Sequence, residues 1–181
     1  MFSVSDLNYY LALATLLLQA ITIALLVVFL MRKQVPAFAD IAESIGKRGL
    51  LIGFVVSLGA AVLTLFYSDY LGIEPCPLCW WQRIFMFPQI ILFGMALWKR
   101  DAYIVDYSIV LSVIGGGIAL YQHALQMFGE GSLPCPATGP SCAQRILFEF
   151  GYITFPLMAV SLFAFIIVTM LYVRANRGLR V

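Results

Sequence analysis

The sequence predicts an all-α, polytopic membrane bundle with five crossings. Three observations carry this reading. Hydrophobic residues form 62% of the 181-residue chain and charged residues only 11%, against about 45–50% and about 25% in soluble domains. Mean hydropathy is +0.96. Five runs each reach the roughly 20 apolar residues needed to cross a bilayer core, and none alternates with the period of a barrel strand.

The first run is Tyr9 to Met31. "AFA" at Ala37 to Ala39 has the look of a leader-cleavage site, but a leader carries its positive charge before the apolar run. Here Asp6 precedes the run and Arg32 and Lys33 follow it, as in a permanent anchor. The second run is Leu50 to Leu71. Between these two, "VPAFADIAESIGKRG" places Phe38, Ile41, Ala42 and Ile45 on one helical face, predicting a short interfacial helix; a solvated elbow is the alternative. The third run is Pro77 to Trp98, and the fourth Tyr107 to Phe128, with Gly115, Gly116 and Gly117 midway for close helix packing. The fifth is Tyr152 to Val173. Before it, Gln126 to Gly151 begins with a Gly-, Ser- and Pro-rich loop. It continues through "AQRILFEF", where Ala143, Ile146, Leu147 and Phe150 predict a short surface helix.

Charge assigns the sides. Nine of the eleven basic residues fall between runs one and two, between three and four, or after five; only Arg83 and Arg145 fall on the other side. The positive-inside rule makes the nine cytoplasmic, so the N-terminus is outside and the C-terminus inside. No loop is long enough to fold alone, and nothing points to nucleic acid.

All four cysteines, Cys76, Cys79, Cys135 and Cys142, fall in the two outer connections, two in each. That side is the oxidising one, where disulfides persist. Structural disulfides, a four-thiolate metal site and a thiol–disulfide relay compete. The metal reading suffers because six residues, two of them proline, separate Cys135 from Cys142. Cys-x-x-Cys closes too small a ring to constrain an unfolded chain strongly, and such tight pairs are characteristically redox-active. The relay is therefore preferred over the staple.

In "EPCPLCWWQR", Pro75 and Pro77 suit a turn and a first helical position. Cys79 then lies in the first turn of the third span, where the helix N-terminus favours negative charge. Arg83, four residues on, shares its face. Both effects favour the reactive thiolate at Cys79. Arg83 could instead snorkel to headgroups, Trp80 and Trp81 could sit at the interface, and Gln82 could serve a ligand or a helix contact. The one histidine, His123 in "YQHALQ", falls at the same depth as Arg83, so the two could flank one site. Oxidising a dithiol releases two electrons and two protons, and the chain has no haem, dinucleotide or iron–sulfur motif. The acceptor must be brought in, and a lipid-soluble quinone suits a thiolate, an arginine and a histidine at the hydrocarbon edge.

"CPLCWWQR", "YQHALQ" and "LPCPATGPSC" resemble the disulfide-bond formation protein B (DsbB) family, over roughly Leu50 to Val173. The resemblance implies a four-helix core, residues 50–181, to which residues 1–49 add an N-terminal transmembrane helix and a cytoplasmic loop. It implies a bacterial inner-membrane enzyme that reoxidises a soluble thioredoxin-fold, DsbA-like thiol oxidase and passes electrons to ubiquinone or menaquinone. Carried over by motif, Cys76 and Cys79 are the pair beside the quinone, with Cys79 facing it. Arg83 and His123 belong to the quinone site. Cys135 takes the mixed disulfide with the soluble partner, and Cys142 is its mate, able to bridge to Cys76. In the related vitamin K epoxide reductase family the loop pair precedes Cys-x-x-Cys; here it follows.

Overall fold

The computed structural model describes residues 4–129, 134 and 139–177. They form α1 (Val4–Met31), α2 (Pro36–Leu65) continued by a π turn (Phe66–Tyr70), α3 (Pro77–Lys99), α4 (Ile104–Phe128) and α5 (Phe155–Arg177). Among the described residues there is no strand, only an isolated bridge between Glu149 and Ile153. The protein is a multi-pass helical membrane bundle.

Four helices are long and apolar enough to span: α1, α2 with its π turn, α4 and α5. The third expected span, α3, is 23 residues long, or roughly 35 Å at 1.5 Å per residue, but less apolar. The reason is what it turns inward. Gln82, Arg83 and Gln89 are all buried on α3, which lies between α2 and α4. Gln89 joins α3 to α4 by donating to Ser112 (3.1 Å) and accepting from Ser108 (2.7 Å).

Helix α5 is the central element, packed by α4, α2 and α1 and buried along most of its length. Phe163, Ile166 and Met170 of α5 meet Met86 and Phe93 of α3 in the main core. Glycine lets neighbours approach that closely. Gly49 of α2 faces Val173 and Thr169, and Gly53 faces Phe93 and Met170. On α4, a Cβ at Gly115 would lie 2.5 Å from the Phe163 ring, whereas one at Gly117 would meet nothing.

Two sequence expectations are corrected. The interfacial helix before the second span does not exist as a separate element: α2 runs unbroken from Pro36 for 30 residues. Pro36 at the start has its fixed φ preorganised for a helix, and Gly46, Gly49 and Gly53 sit against α5 rather than breaking the ladder. Of the expected apolar face, Ala42 is buried with Val168 and Tyr172, and Ile45 packs beside it. The surface helix expected through "AQRILFEF" is also absent. Tertiary partners take that segment's groups instead. Gln126 donates to the Gln144 carbonyl (2.9 Å), Arg145 donates to the Gln126 carbonyl (2.7 Å), and Leu147 and Ile153 are buried against Ala12 of α1. The chain then reverses through Phe150 and Gly151, both at positive φ.

Helix α1 is keyed by hydrogen bonds as well as apolar packing. Tyr67 donates to Asn8 (2.6 Å), Gln19 donates to Ser161 (2.8 Å) and Tyr172 donates to the Leu25 carbonyl (2.5 Å). The Asn8–Tyr67 bond places the start of α1 beside the end of α2, at the same end of the bundle as Cys76.

Gly115→Leu is expected to cost about 1–3 kcal/mol by overpacking against Phe163, seen as a lowered unfolding temperature in detergent. Gly117→Leu, two residues on, is expected to leave that temperature unchanged. Equal effects at both positions would contradict this packing.

Candidate functional site

The site is built at the N-terminus of α3. Cys76 is the N-cap, in extended conformation, and Pro77 occupies the first helical position. The Cys79 N–H points at the Cys76 sulfur, 3.4 Å away, so a thiol takes the capping role usually filled by an oxygen. The two sulfurs lie 2.8 Å apart, and both cysteines are free. The capped helix end thus brings this pair together through local geometry alone.

Helix α4 supplies the next layer. Gln122, only 1% exposed, donates from Nε2 to Cys76 Sγ (3.0 Å) and Cys79 Sγ (3.4 Å). Its Oε1 accepts from Gln82 Nε2 at 2.5 Å. One amide therefore spans the sulfur pair and the α3 glutamine, fixing the α3–α4 register at the reactive end. The Cys76 thiol is raised well above the ordinary thiol range, first by the hydrogen bond it shares with Cys79 and then by burial.

One turn deeper, Arg83 is 8% exposed. Its Nη2 donates to the Thr64 carbonyl (3.0 Å), at the end of α2 just before the π turn, and its Cζ lies 5.1 Å from the Trp80 ring centroid. Among the described residues it forms no ion pair. A buried cation without a counter-charge is costly and in a transmembrane bundle marks a functional position. Trp80 and Trp81 are exposed on the outside of the bundle.

These groups form the polar end of a cavity of about 360 Å³ that reaches all five helices. Cys79, Gln82, Arg83 and Gln122 line that end, and apolar side chains of α1, α2 and α5 line most of the remainder. Gln126 also borders it, and its buried Oε1 has no hydrogen-bond partner. An apolar cavity with amide and guanidinium donors at one end, where Glu74, Ser141 and Gln144 of the outer connections also border it, fits a flat ring that bears carbonyls and an apolar tail.

The remaining expected site residues are placed as follows. Cys142 is fully buried, disulfide-bonded, and clusters with Cys76 and Cys79. Cys135 lies outside the described residues. His123 does not line the cavity. Its Nδ1 sits 2.9 Å from Thr154 Oγ1, the hydroxyl that also caps Leu157 N–H at the start of α5. The structure therefore brings together Cys76, Cys79, Gln82, Arg83 and Cys142, and sets His123 on a helix junction. Among the described residues no group of three or more His, Cys, Asp or Glu is assembled that could hold a metal.

Sequence reasoning missed Gln122 and Gln126, although a signal was there. Ser108, Ser112, Gly115, Ala119, Gln122 and Gln126 recur at alternating steps of four and three, and all six are buried. That stripe is the inner face of α4. His123 is one residue, about 100°, off it.

A thiol pair capping a helix within a multi-pass bundle, next to an unpaired buried cation, defines a membrane thiol–disulfide protein. Residues 46–173 match the family model described as "Disulfide bond formation protein DsbB", and the chain belongs to that family. It is 38% identical over 131 residues to a "Probable disulfide formation protein" of Metapseudomonas resinovorans, covering 71% of this chain and 89% of that one. It is 38% identical over 120 residues to the "SPbeta prophage-derived disulfide bond formation protein B" of Bacillus subtilis, covering 66% and 81%. Identity to a "Probable disulfide formation protein C 2" of Bacillus cereus is 29% over 135 residues, covering 75% and 96%. No solved structure matches. These relatives make disulfide formation at a membrane the function of the fold, and oxidoreductase its class. Helix α1 lies outside the matched residues.

Gln122→Leu removes the amide donor shared by both sulfurs. A hydrogen bond to a charged group contributes about 1.5–3 kcal/mol, so iodoacetamide labelling of Cys79 near neutral pH is expected to slow about tenfold or more. Unchanged labelling would show that the amide does not tune the thiolate. His123→Ala is expected to leave labelling within about twofold and to cost about 1 kcal/mol of stability through the lost Thr154 contact.

Proposed function

We propose that this protein is a protein-disulfide:quinone oxidoreductase. It reoxidises a soluble, thioredoxin-fold thiol oxidase of the DsbA kind and delivers the electrons to a membrane quinone, ubiquinone or menaquinone. The observation that carries this reading is the Cys76–Cys79 pair at the polar end of an apolar cavity beside an unpaired, buried Arg83. A staple would need neither the cation nor the cavity.

The steps balance as thiol–disulfide exchange. A thiolate of the partner attacks the Cys135–Cys142 disulfide at Cys135, releasing Cys142 as thiolate. The partner's second thiol resolves the mixed disulfide and leaves as an oxidised disulfide, with both loop cysteines reduced. Cys142 then attacks Cys76 in the oxidised Cys76–Cys79 bond, releasing Cys79 as thiolate; Cys135 resolves the bridge, and the inner pair is left reduced. Burial of Cys142 against Cys76 supports that bridging step. A quinone held at the Arg83 end would accept the two electrons and two protons released as the inner disulfide re-forms.

The chain's own residues prepare the last step. Gln122 holds both sulfurs, and Cys79, half-buried in the first turn of α3, borders the cavity beside Arg83 as the attacking thiolate. The Arg83 guanidinium is set to stabilise oxygen that gains negative charge. His123, bonded to Thr154, is one residue removed from this face; its part in the reading is to hold α4 against α5.

The proposed setting is the bacterial cytoplasmic membrane, with the cysteine end on the extracytoplasmic side. The basic residues support it. Arg174 and Arg177 pair with Asp106 at the opposite end of the bundle from Cys76, as the positive-inside rule requires of a cytoplasmic face.

The deciding experiment is anaerobic: a reduced thioredoxin-fold oxidase, the purified protein and a defined quinone, followed by quinone absorbance. Stoichiometric quinol formation is expected. Cys79→Ser should abolish it with the fold intact; a disulfide-stapled structural subunit would instead lose stability and show no redox phenotype at all. Arg83→His should raise the apparent quinone KM about tenfold while thiol exchange with the partner survives. Unchanged quinone kinetics in that variant would remove Arg83 from the site.

A further inference from the structure

The cavity has a wall that the family match does not contain. Leu11, Ala14, Thr15 and Leu18 line it from α1, whereas the match begins at residue 46. Their spacing of three, four and seven residues is one helical face, so α1 presents a continuous stripe to the cavity. Facing it across the cavity are Val56, Gly59, Ala60 and Leu63 of α2, again one face.

The two helices are not closed on each other there. Helix α1 is held mainly by α5, and more lightly by α2. Its bonds to α2 and α5, Asn8–Tyr67 and Gln19–Ser161, lie to either side of Ala14 along the helix. Between those two bonds each helix lines the cavity with a small residue, Ala14 on α1 and Gly59 on α2. Ala14 and Gly59 both border the cavity and both keep accessible surface, and a Cβ at Gly59 would meet nothing within 4 Å. They are therefore the two sides of a window.

The window's depth and rim say what it opens onto. Ala14 is six residues past Asn8 and Gly59 eight before Tyr67, so they lie about 9 and about 12 Å deeper than that bond. The neighbouring outward side chains, Leu17, Val55 and Val62, are apolar and exposed. A side opening rimmed in this way, in two membrane-spanning helices, gives onto hydrocarbon and not onto water. At the inner end stand Arg83, which among the described residues forms no ion pair, and Gln126 with its buried Oε1 unpartnered.

We propose that the gap between α1 and α2 is a lateral portal. Through it a lipid-soluble, carbonyl-bearing ring reaches the Cys79–Arg83 end directly from the bilayer, and its apolar tail stays lodged between Ala14 and Gly59. The added N-terminal helix is then a specificity element for the tail rather than a mere anchor. This inference rests on the quinone reading above and extends it to how the ligand enters and is selected.

The test uses the full chain in lipid nanodiscs with two probes: a benzoquinone carrying a decyl tail and the same ring without a tail. Gly59→Leu and, from the opposite side, Ala14→Leu narrow the window; Gly117→Leu, in open space on α4 away from the cavity, is the control for added bulk. In each window variant the apparent KM for the tailed quinone is expected to rise about tenfold, and that for the tailless ring less than about threefold. Equilibrium binding of the tailed quinone to the protein before any thiol donor is added, read by quenching of tryptophan fluorescence, should weaken to match. Gly117→Leu should change neither. Equal effects on both quinones, or tailed-quinone kinetics and binding unchanged in both window variants, would overturn the portal. If the unaltered chain reduced and bound neither quinone, the quinone reading would fail and the portal with it.

Discussion

The arrangement of the reactive end depends on a charge kept inside an apolar bundle. Arg83 is buried at the level of the α2–π junction, where the Thr64 carbonyl accepts one of its hydrogens and the Trp80 ring approaches its guanidinium. Neither partner carries a full negative charge. In a low-dielectric setting such a cation favours any anion that can form next to it. The nearest group able to become one is the sulfur at a helix N-terminus one turn away. The same desolvation that makes the arginine costly makes its field strong, so stability and reactivity are set by one placement.

Around that placement the bundle is organised to hold two sulfurs still while leaving space beside them. The capped end of α3 positions Cys76 and Cys79 by backbone geometry. Gln122 then fastens both to α4, and Gln82 fixes the orientation of the Gln122 amide. Deeper in the bundle, glycines on α2 and α4 bring backbones close to α5. Toward the cysteine end a Cβ at Gly59 of α2 would meet nothing, and with Ala14 of α1 it borders a cavity. Close packing at one level and open space at another come from the same residue type, according to whether a large side chain faces it.

Much of this was legible in the chain. The five helices follow from runs of apolar residues, and the start of α3 from Pro77 after a capping residue. The i, i+4 relation of Cys79 and Arg83 puts both on the cavity side because helical periodicity is strict over a single turn. Where reading failed, tertiary partners had overridden local preference. The segment from Ala143 to Phe150 carries a helical pattern, yet its backbone bonds to the Gln126 side chain and its apolar residues pack on α1 and α5. His123 is one residue, about 100°, off the inner face of α4, so it meets Thr154 while Gln122 borders the cavity. The buried polar stripe on α4, Ser108 to Gln126, carries that distinction in its periodicity.

By itself, then, the chain's order of residues determined that it is a membrane helical bundle, that its thiols gather at one end, and that a cation stands in register with one of them. These depend on composition and on spacings shorter than two helical turns, which survive any packing arrangement. Only the tertiary structure decided that Gln122 bridges the sulfurs, that Arg83 is buried without an ion pair among the described residues, and that α1 forms a wall of the cavity. Those facts join residues tens of positions apart, and they follow from which helix faces which. That choice is made by the fit of Phe163 to Gly115 and of Val173 to Gly49, not by any local stretch of sequence.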